Sequence, residues 1–223
     1  MTKLIIVPTP IGNLGDITQR AAEELGRADL ILAEDTRKSA ILLRHLGLRV
    51  PLRSHHKFNE HREIDRLLSE LEEGKRVCLI SDAGTPSVSD PGFLLVRSCI
   101  EKGISIETLP GATALIPALV NSGLPSDRFT FEGFLPQKKG RNKRIEALRD
   151  EERTMIFYES PFRLLKTINQ LAEVFGSERR ASVSRELTKI HEETVRGTLA
   201  VLAEHFTETA PRGEIVLVVA GKD

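Results

Sequence analysis

The sequence predicts an α/β protein of two domains, an N-terminal one on a parallel sheet and a C-terminal one on a mixed sheet. Three observations carry this. Through the N-terminal half, short apolar runs alternate with amphipathic helical patterns, the mark of strand–helix–strand units with helices on both sheet faces. Each of those runs ends in a cluster of Gly, Pro, Ser, Thr or Asp, the residues of strand-end loops. Beyond Pro125 the alternation is less regular, which argues for mixed strand directions.

Taken in order, residues 3–7 read as a buried strand and 8–15 as a turn-rich loop. Asp16 or Thr18 can cap a helix running through Leu25. Residues 30–33 are the second strand, ending at Glu34-Asp35-Thr36-Arg37, after which Ile41, Leu42 and Leu46 give a helix face. A short segment near Leu52 leads to a His-rich stretch, 55–61. Ile64, Leu67, Leu68 and Leu71 then recur at helical spacing, and Gly74 ends that helix. Residues 76–80 are the central strand. It runs into a polar loop, 81–92, in which Asp90 suits an N-cap and Pro91 a first helical position. Residues 104–108 are a further strand, and 109–113 open the next helix, which stops at 121–125.

These signals place an N-terminal α/β domain at 1–112, a connecting helix and linker at 113–125, and a C-terminal α/β domain at 126–223. The second part begins with residues 129–135 and a basic loop, 136–144. A strand at 154–158 ends at Glu159-Ser160-Pro161, and Leu165, Ile168, Ala172 and Phe175 share a helix face. A strand at 181–185, a helix marked by Leu199, Leu202, Ala203 and Phe206, and a closing strand at 213–220 complete it.

Composition narrows the function. The chain carries 32 Lys and Arg against 32 Asp and Glu, a net charge of zero. General nucleic-acid binders are usually basic, so any grip on RNA has to be local. No apolar run approaches the roughly 20 residues of a membrane span. The N-terminus reads as one short strand rather than a signal peptide, so a cytoplasmic protein without membrane association is expected. Cys78 and Cys99 lack a Cys-x-x-Cys partner and read as buried free thiols. His55, His56 and His61 have no acid or cysteine cluster to complete a metal site, so no metal is expected. Gly12 and Gly15 give only Gly-x-x-Gly, and no phosphate-binding glycine motif is present.

Five strand-end clusters remain, at 8–15, 34–37, 81–92, 110–114 and 158–161. Open α/β sheets bind ligands at strand carboxyl ends, and Gly, Pro, Ser and Thr loops let backbone approach a ligand closely. The run Ile80-Ser-Asp-Ala-Gly-Thr-Pro-Ser-Val-Ser-Asp-Pro-Gly92 resembles the Gly-Asp-x-x-x-Pro-x-x-x-Asp-Pro-Gly region of the tetrapyrrole methylase superfamily, S-adenosylmethionine (SAM) methyltransferases. The resemblance implies a two-domain tetrapyrrole-methylase-like fold with SAM in the cleft between the domains, and a homodimer. It assigns cofactor contacts to Pro8, Ile80, Ser81, Asp82, Thr85, Thr113, Ala114, Glu159 and Leu187. Two departures stand out: the first loop lacks the family's Gly-x-Gly-Pro-Gly, and Ser81 replaces its Gly.

A second set of runs looks like the superfamily's ribosomal branch: 7–14, 33–37, 82–86, 157–160 and 185–189. That resemblance implies methylation of a cytidine ribose 2′-oxygen in small-subunit ribosomal RNA, with the RNA as partner, within the assembled subunit. Some members of the branch carry a further C-terminal segment beyond the position of Asp223. Positioning and proton removal both help a hydroxyl nucleophile. Candidate bases are Glu34, Asp35, Glu159 and, were its pKa depressed, Lys189. Arg37 and Arg185 can clamp phosphates, and Lys138, Lys139, Arg141, Lys143 and Arg144 form an acid-free run suited to RNA backbone. The plainer readings are capping acids at a helix N-terminus for 34–37, a surface turn for 185–189 and a solvated loop for 138–144. A tetrapyrrole methyltransferase and a non-catalytic ribosome-binding module are the alternative functions.

Overall fold

The computed structural model describes residues 3–222 and places them in two units that divide between Thr113 and Ala114. In the first unit, strands β1 (Lys3–Ile6), β2 (Leu30–Ala33), β3 (Leu52–Ser54), β4 (Val77–Leu79) and β5 (Ser105–Thr108) alternate with helices α1 (Gln19–Gly26), α2 (Thr36–His45), α3 (Glu60–Glu72) and α4 (Phe93–Glu101). All five strands are parallel, in the order β3-β2-β4-β1-β5. Successive side chains point to opposite faces of a strand. Leu4, Ile6, Leu30, Leu32, Val77 and Leu79 therefore meet Leu67, Leu71, Leu95 and Cys99 of α3 and α4 on one face. Ile5, Val7, Ile31, Cys78 and Ile80 meet Ala21, Leu25, Leu42 and Leu43 of α1 and α2 on the other. With both faces covered, the central strands read as unbroken apolar runs at 4–6, 30–33 and 77–79, whereas the edge strands β3 and β5 carry Arg53, Ser54, Ser105, Glu107 and Thr108. Each fully buried Leu or Ile contributes about 1.5–3 kcal/mol.

Local chemistry sets the helix starts. Thr18 caps α1 by accepting the Ala21 N–H, and Asn13 caps a short 3-10 turn at Leu14–Asp16. The expected cap of α4 at Asp90 is not formed. The helix begins after Gly92, whose φ of 125° is a conformation that suits glycine, and an added Cβ there would lie 2.6 Å from Leu79. The cap comes instead from α3: Glu60 Oε1 accepts the N–H groups of Gly92 at 3.2 Å and Leu94 at 3.1 Å. The loop 81–92 is thereby braced from the neighbouring helix.

The second unit holds α5 (Leu115–Ser122), β6 (Phe129–Phe134), α6 (Arg141–Ala147), β7 (Thr154–Glu159), α7 (Leu164–Phe175), β8 (Arg180–Arg185), β9 (Glu193–Thr198), α8 (Leu199–Glu208) and β10 (Ile215–Val219). Its sheet runs β6-β7-β10-β8-β9, with β6 and β7 parallel and the remaining pairs antiparallel, a mixed sheet. Met155, Phe157, Val183, Leu217 and Val219 build the core with Ile145, Leu164, Ile168, Leu171, Leu202 and Phe206 of α6, α7 and α8. Helix α5, which the sequence suggests as a connector, packs on β8, β9 and β10, and Arg196 Nε of β9 donates to the Asn121 carbonyl at 2.6 Å. Gly123 ends α5 in the left-handed region, at φ 68°.

Two local expectations change. Residues 141–144 are helical rather than loop, and β9 has no counterpart in the sequence pattern because Glu-Thr-Val-Arg-Gly-Thr lacks an apolar run. As an edge strand it needs none.

Candidate functional site

At the carboxyl edge of the first sheet the loops are joined by specific hydrogen bonds. Thr9 and Gly84 exchange reciprocal N–H···O=C bonds of 2.9 Å, and Thr9 Oγ1 donates to the Ser81 carbonyl at 3.1 Å. Thr85 Oγ1 donates to the Ala112 carbonyl at 3.2 Å. Gly111 packs so close to Pro8 that an added Cβ would sit 2.7 Å from the proline Cβ. Asp82 reaches the loop after β2: its Oδ1 accepts the Asp35 N–H at 3.0 Å and its Oδ2 the Lys38 ammonium at 2.7 Å. Four strand ends, those of β1, β2, β4 and β5, are thus held together.

Between them lies a half-open cleft of about 130 Å³ lined by Thr9, Pro10, Leu14, Lys38, Ser39, Ile41, Leu42, Ile80, Ser81 and Asp82. Ile80, Ser81 and Asp82, expected from sequence, stand here together, with Pro8 directly before Thr9. The donor set fits SAM in kind: Leu14, Ile41, Leu42 and Ile80 offer an apolar wall for adenine. The Asp82 carboxylate and strand-end carbonyls suit a sulfonium and an amino group. The Ser81 hydroxyl is turned inward, donating to the Ala83 and Gly84 carbonyls, each at 3.2 Å, so its loop offers backbone rather than side chain. Thr113 and Ala114 stand half-buried at the division between the units.

The candidate bases separate by environment. Asp35 is the N-cap of α2: Oδ1 accepts the Arg37 N–H at 2.9 Å, and the guanidinium holds both oxygens. Its hydrogen bonds from Arg37 hold the carboxyl far below the usual carboxylate range, which suits a cap and not a proton acceptor. Arg37 is itself tied to Asp35, although highly exposed. Glu34 is half-buried beside this cap. Asp90 lies near enough to Glu34 and Asp82 to feel both: burial first, then the Glu34 charge, pushes it up to about 6, with the nearby Ser81 hydroxyl opposing the rise. The sequence marks Asp90 only as a helix cap, although it sits inside the motif that carries the resemblance.

In the second unit Glu159 is buried and fully engaged. Its oxygens accept the Ser160 N–H at 2.8 Å and the Thr167 hydroxyl at 2.6 Å, and they pair with Arg163 at 2.9 Å and Arg141 at 3.5 Å. The carboxylate is a structural hub, with no oxygen left for catalysis. Lys189 is a correction too. Burial works to lower its pKa, but ion pairs with Glu186 at 2.8 Å and Glu214 at 3.0 Å more than offset this, and the net shift is upward. An ammonium so held is no base. Leu187 is buried in a strained turn between Glu186, φ 51°, and Thr188, φ 68°.

Among the residues expected to hold RNA, Lys138, Lys139 and Lys143 are exposed and have no ion-pair partner among the described residues. Arg141 is not available: it is buried, donating to Gln170 at 2.8 Å, Thr167 at 2.6 Å and the Pro136 carbonyl at 3.2 Å. Arg144 pairs with Glu132, and Arg185 with Glu193 at 2.5 Å. His55 is buried with Nε2 3.7 Å from Glu60, and burial lowers its pKa. Both cysteines are buried free thiols, Cys78 pushed up to about 12 and Cys99 to about 11 by burial. No helix among the described residues is long and apolar enough to cross a membrane.

Comparison with known proteins agrees with this architecture. The sequence profile of the tetrapyrrole (corrin/porphyrin) methylases matches residues 3–203. The chain is 46% identical to the ribosomal RNA small subunit methyltransferase I of Thermotoga maritima over all of both chains. It is 51% identical to the Synechocystis protein of that name, over 98% of this chain and 78% of that one. Among solved structures, a diphthine synthase superposes with a TM-score of 0.77 at 17% identity, covering 99% of this chain and 90% of that one. Cobalt precorrin-4 methyltransferase gives 0.73 at 18%, covering 98% and 95%. These structures share the fold; the profile and the sequence relatives fix the kinship: the chain belongs to the tetrapyrrole methylase family, whose methyltransferases use S-adenosylmethionine.

Proposed function

We propose that this protein transfers a methyl group from SAM to the 2′-oxygen of a cytidine ribose in small-subunit ribosomal RNA. The observation that carries the reading is identity of about half, over nearly the whole chain, to proteins named ribosomal RNA small subunit methyltransferase I. The alternative, a tetrapyrrole acceptor, rests on a family description and on structural likeness at 22% identity or less.

When bound, SAM supplies an electrophilic methyl group on a cationic sulfur. In this reading Ile80, Leu42 and Leu14 wall the adenine, and Asp82 favours the positive charge. Pro8, Ser81, Thr85, Thr113, Ala114, Glu159 and Leu187 remain proposed contacts by resemblance, Ser81 and Glu159 through backbone because their side chains are engaged within the protein. The protein would contribute by positioning the ribose oxygen for transfer, which alone lowers the barrier. With SAM and the RNA bound, the hydroxyl proton would pass to Asp90, whose carboxyl burial and the nearby Glu34 charge push up to about 6. Lys138, Lys139 and Lys143 hold RNA phosphates. The protein acts in the cytoplasm as a homodimer in this reading.

The test is methyl incorporation from labelled SAM into small subunits lacking their RNA methylations, with naked RNA and a tetrapyrrole precursor in parallel. Label on a cytidine ribose is the expected result. Label on the tetrapyrrole alone would transfer the protein to the alternative.

A further inference from the structure

Phe162 is 96% exposed. It stands on the turn between β7 and α7, and that turn is held firmly from below. Glu159 Oε1 accepts the Ser160 N–H and pairs with Arg163, while the Ser160 carbonyl accepts the N–H groups of Arg163 at 2.9 Å and Leu164 at 3.0 Å. A rigid turn that lifts a phenyl ring into water gains nothing for the fold, because the ring leaves no apolar surface dry.

The neighbouring loop completes the setting. Strands β6 and β7 are parallel partners, so the loop after Phe134 and the turn of Phe162 leave the same sheet edge, about 5 Å apart at the strands. Phe134 is 55% exposed and packs edge-on against Tyr158, ring centroids 5.7 Å apart. Lys138 and Lys139 follow on that loop, exposed and without a carboxylate partner among the described residues. One turn into α7, Lys166 is exposed as well. An exposed aromatic ring on one loop and free ammonium groups on the loop from the neighbouring strand are the combination that binds single-stranded nucleic acid: the ring stacks on a base and the lysines follow the backbone.

We propose that Phe162 is a stacking platform for an unpaired base of the RNA substrate, with Lys138 and Lys139 holding the adjoining phosphates. The proposal rests on the RNA reading above and adds a named base-contacting residue to it. Charge decides the occupant: unpaired lysines on the neighbouring loop favour a polyanion over a neutral apolar partner.

The chain contains no tryptophan, so Phe162→Trp installs its one indole, which is excited at wavelengths where Tyr158 does not absorb. Small-subunit ribosomal RNA should quench its emission, with affinity kept or improved. Phe162→Leu keeps apolar bulk but loses the π face. It should bind RNA about 5- to 100-fold more weakly and raise KM for subunits to match, with SAM affinity and thermal midpoint unchanged. RNA that binds the Phe162→Trp variant without quenching the indole, or binds F162L as it binds the wild type, would overturn the proposal and leave the RNA reading standing. Emission that shifts with protein concentration alone would assign the ring to a second copy and also overturn it. A wild-type protein that neither binds nor methylates RNA, free or in subunits, would overturn both.

Discussion

Lys38 Nζ lies 2.7 Å from Asp82 Oδ2, so the carboxylate lining the cleft is already matched by a cation of the protein. Asp82 in turn raises the Lys38 pKa through hydrogen bonding and charge. A sulfonium bound nearby therefore competes with Lys38 for the same charge. Replacing Lys38 with Met should raise the preference for SAM over neutral S-adenosylhomocysteine by about 3- to 10-fold, the effect of roughly 1 kcal/mol at intermediate dielectric. Asp82→Asn, which can still accept the Asp35 N–H, should lower it. Calorimetric titration of both ligands measures the ratio, and a ratio indifferent to both changes would remove Asp82 from the sulfonium's surroundings.

The joined loops give a steric prediction. A Cβ on Gly111 would lie 2.7 Å and 3.0 Å from Pro8 Cβ and Cγ, so Gly111→Ala must part the loops after β1 and β5. Overpacking of this kind costs about 1–3 kcal/mol. Urea unfolding should show the loss, and SAM affinity should fall with it because Pro8 and Thr9 move together. Unchanged affinity at reduced stability would show that the cleft does not depend on this contact.

Much of this is legible in the sequence because two-sided burial imposes itself on it. The central strands of the first unit, β2 and β4 with most of β1, are apolar without interruption, and Gly74 and Gly123 stop helices at positions where a left-handed backbone is needed. Asp82 and Ile80 are legible through the motif. What the sequence hides are pairings made over long separations. Glu60 capping α4, Lys38 meeting Asp82, and Arg141 inside the Glu159–Thr167 network depend on where distant elements dock. In the chain Arg141 is one of five like charges; only burial sets it apart.

Asp90 predicts a pH dependence with a definite sign. Its carboxyl rises from 3.8 to about 6, chiefly through burial and then through Glu34. Between those values the folded protein holds a proton that the unfolded chain has released, so stability falls as pH rises through that window. Asp90→Asn should flatten the slope and be the more stable protein at pH 7, by on the order of 1 kcal/mol once solvent screening is allowed for. If Asp90 accepts the hydroxyl proton, wild-type kcat should climb through about pH 6, and D90N should lose about 10²–10⁴ in kcat with SAM affinity intact. A wild-type profile flat from pH 5 to 7 would take Asp90 out of the proton transfer.

The basic run separates into structural and RNA-facing residues, and the two classes should respond differently. Arg141 is buried beside Glu159, with 5% and 1% of their side chains exposed. Arg163 still pairs with Glu159 when Arg141 is truncated, so the loss is that of the buried bonds Arg141 makes to Gln170, Thr167 and the Pro136 carbonyl, about 1–3 kcal/mol. Arg141→Met should therefore lower Tm by roughly 2–12 °C for a chain of this size. Replacing Lys138, Lys139 and Lys143 together with Ala should move stability by no more than about 0.5 kcal/mol per site. It should, however, reduce the slope of log Kd for RNA against log salt by about 2–3, since each phosphate contact contributes about 0.7–0.9. Calorimetry and a salt series on the same preparations read both quantities. A triple variant with the wild-type slope would move the RNA grip away from this run, whereas an Arg141→Met protein with unaltered Tm would contradict the buried network itself.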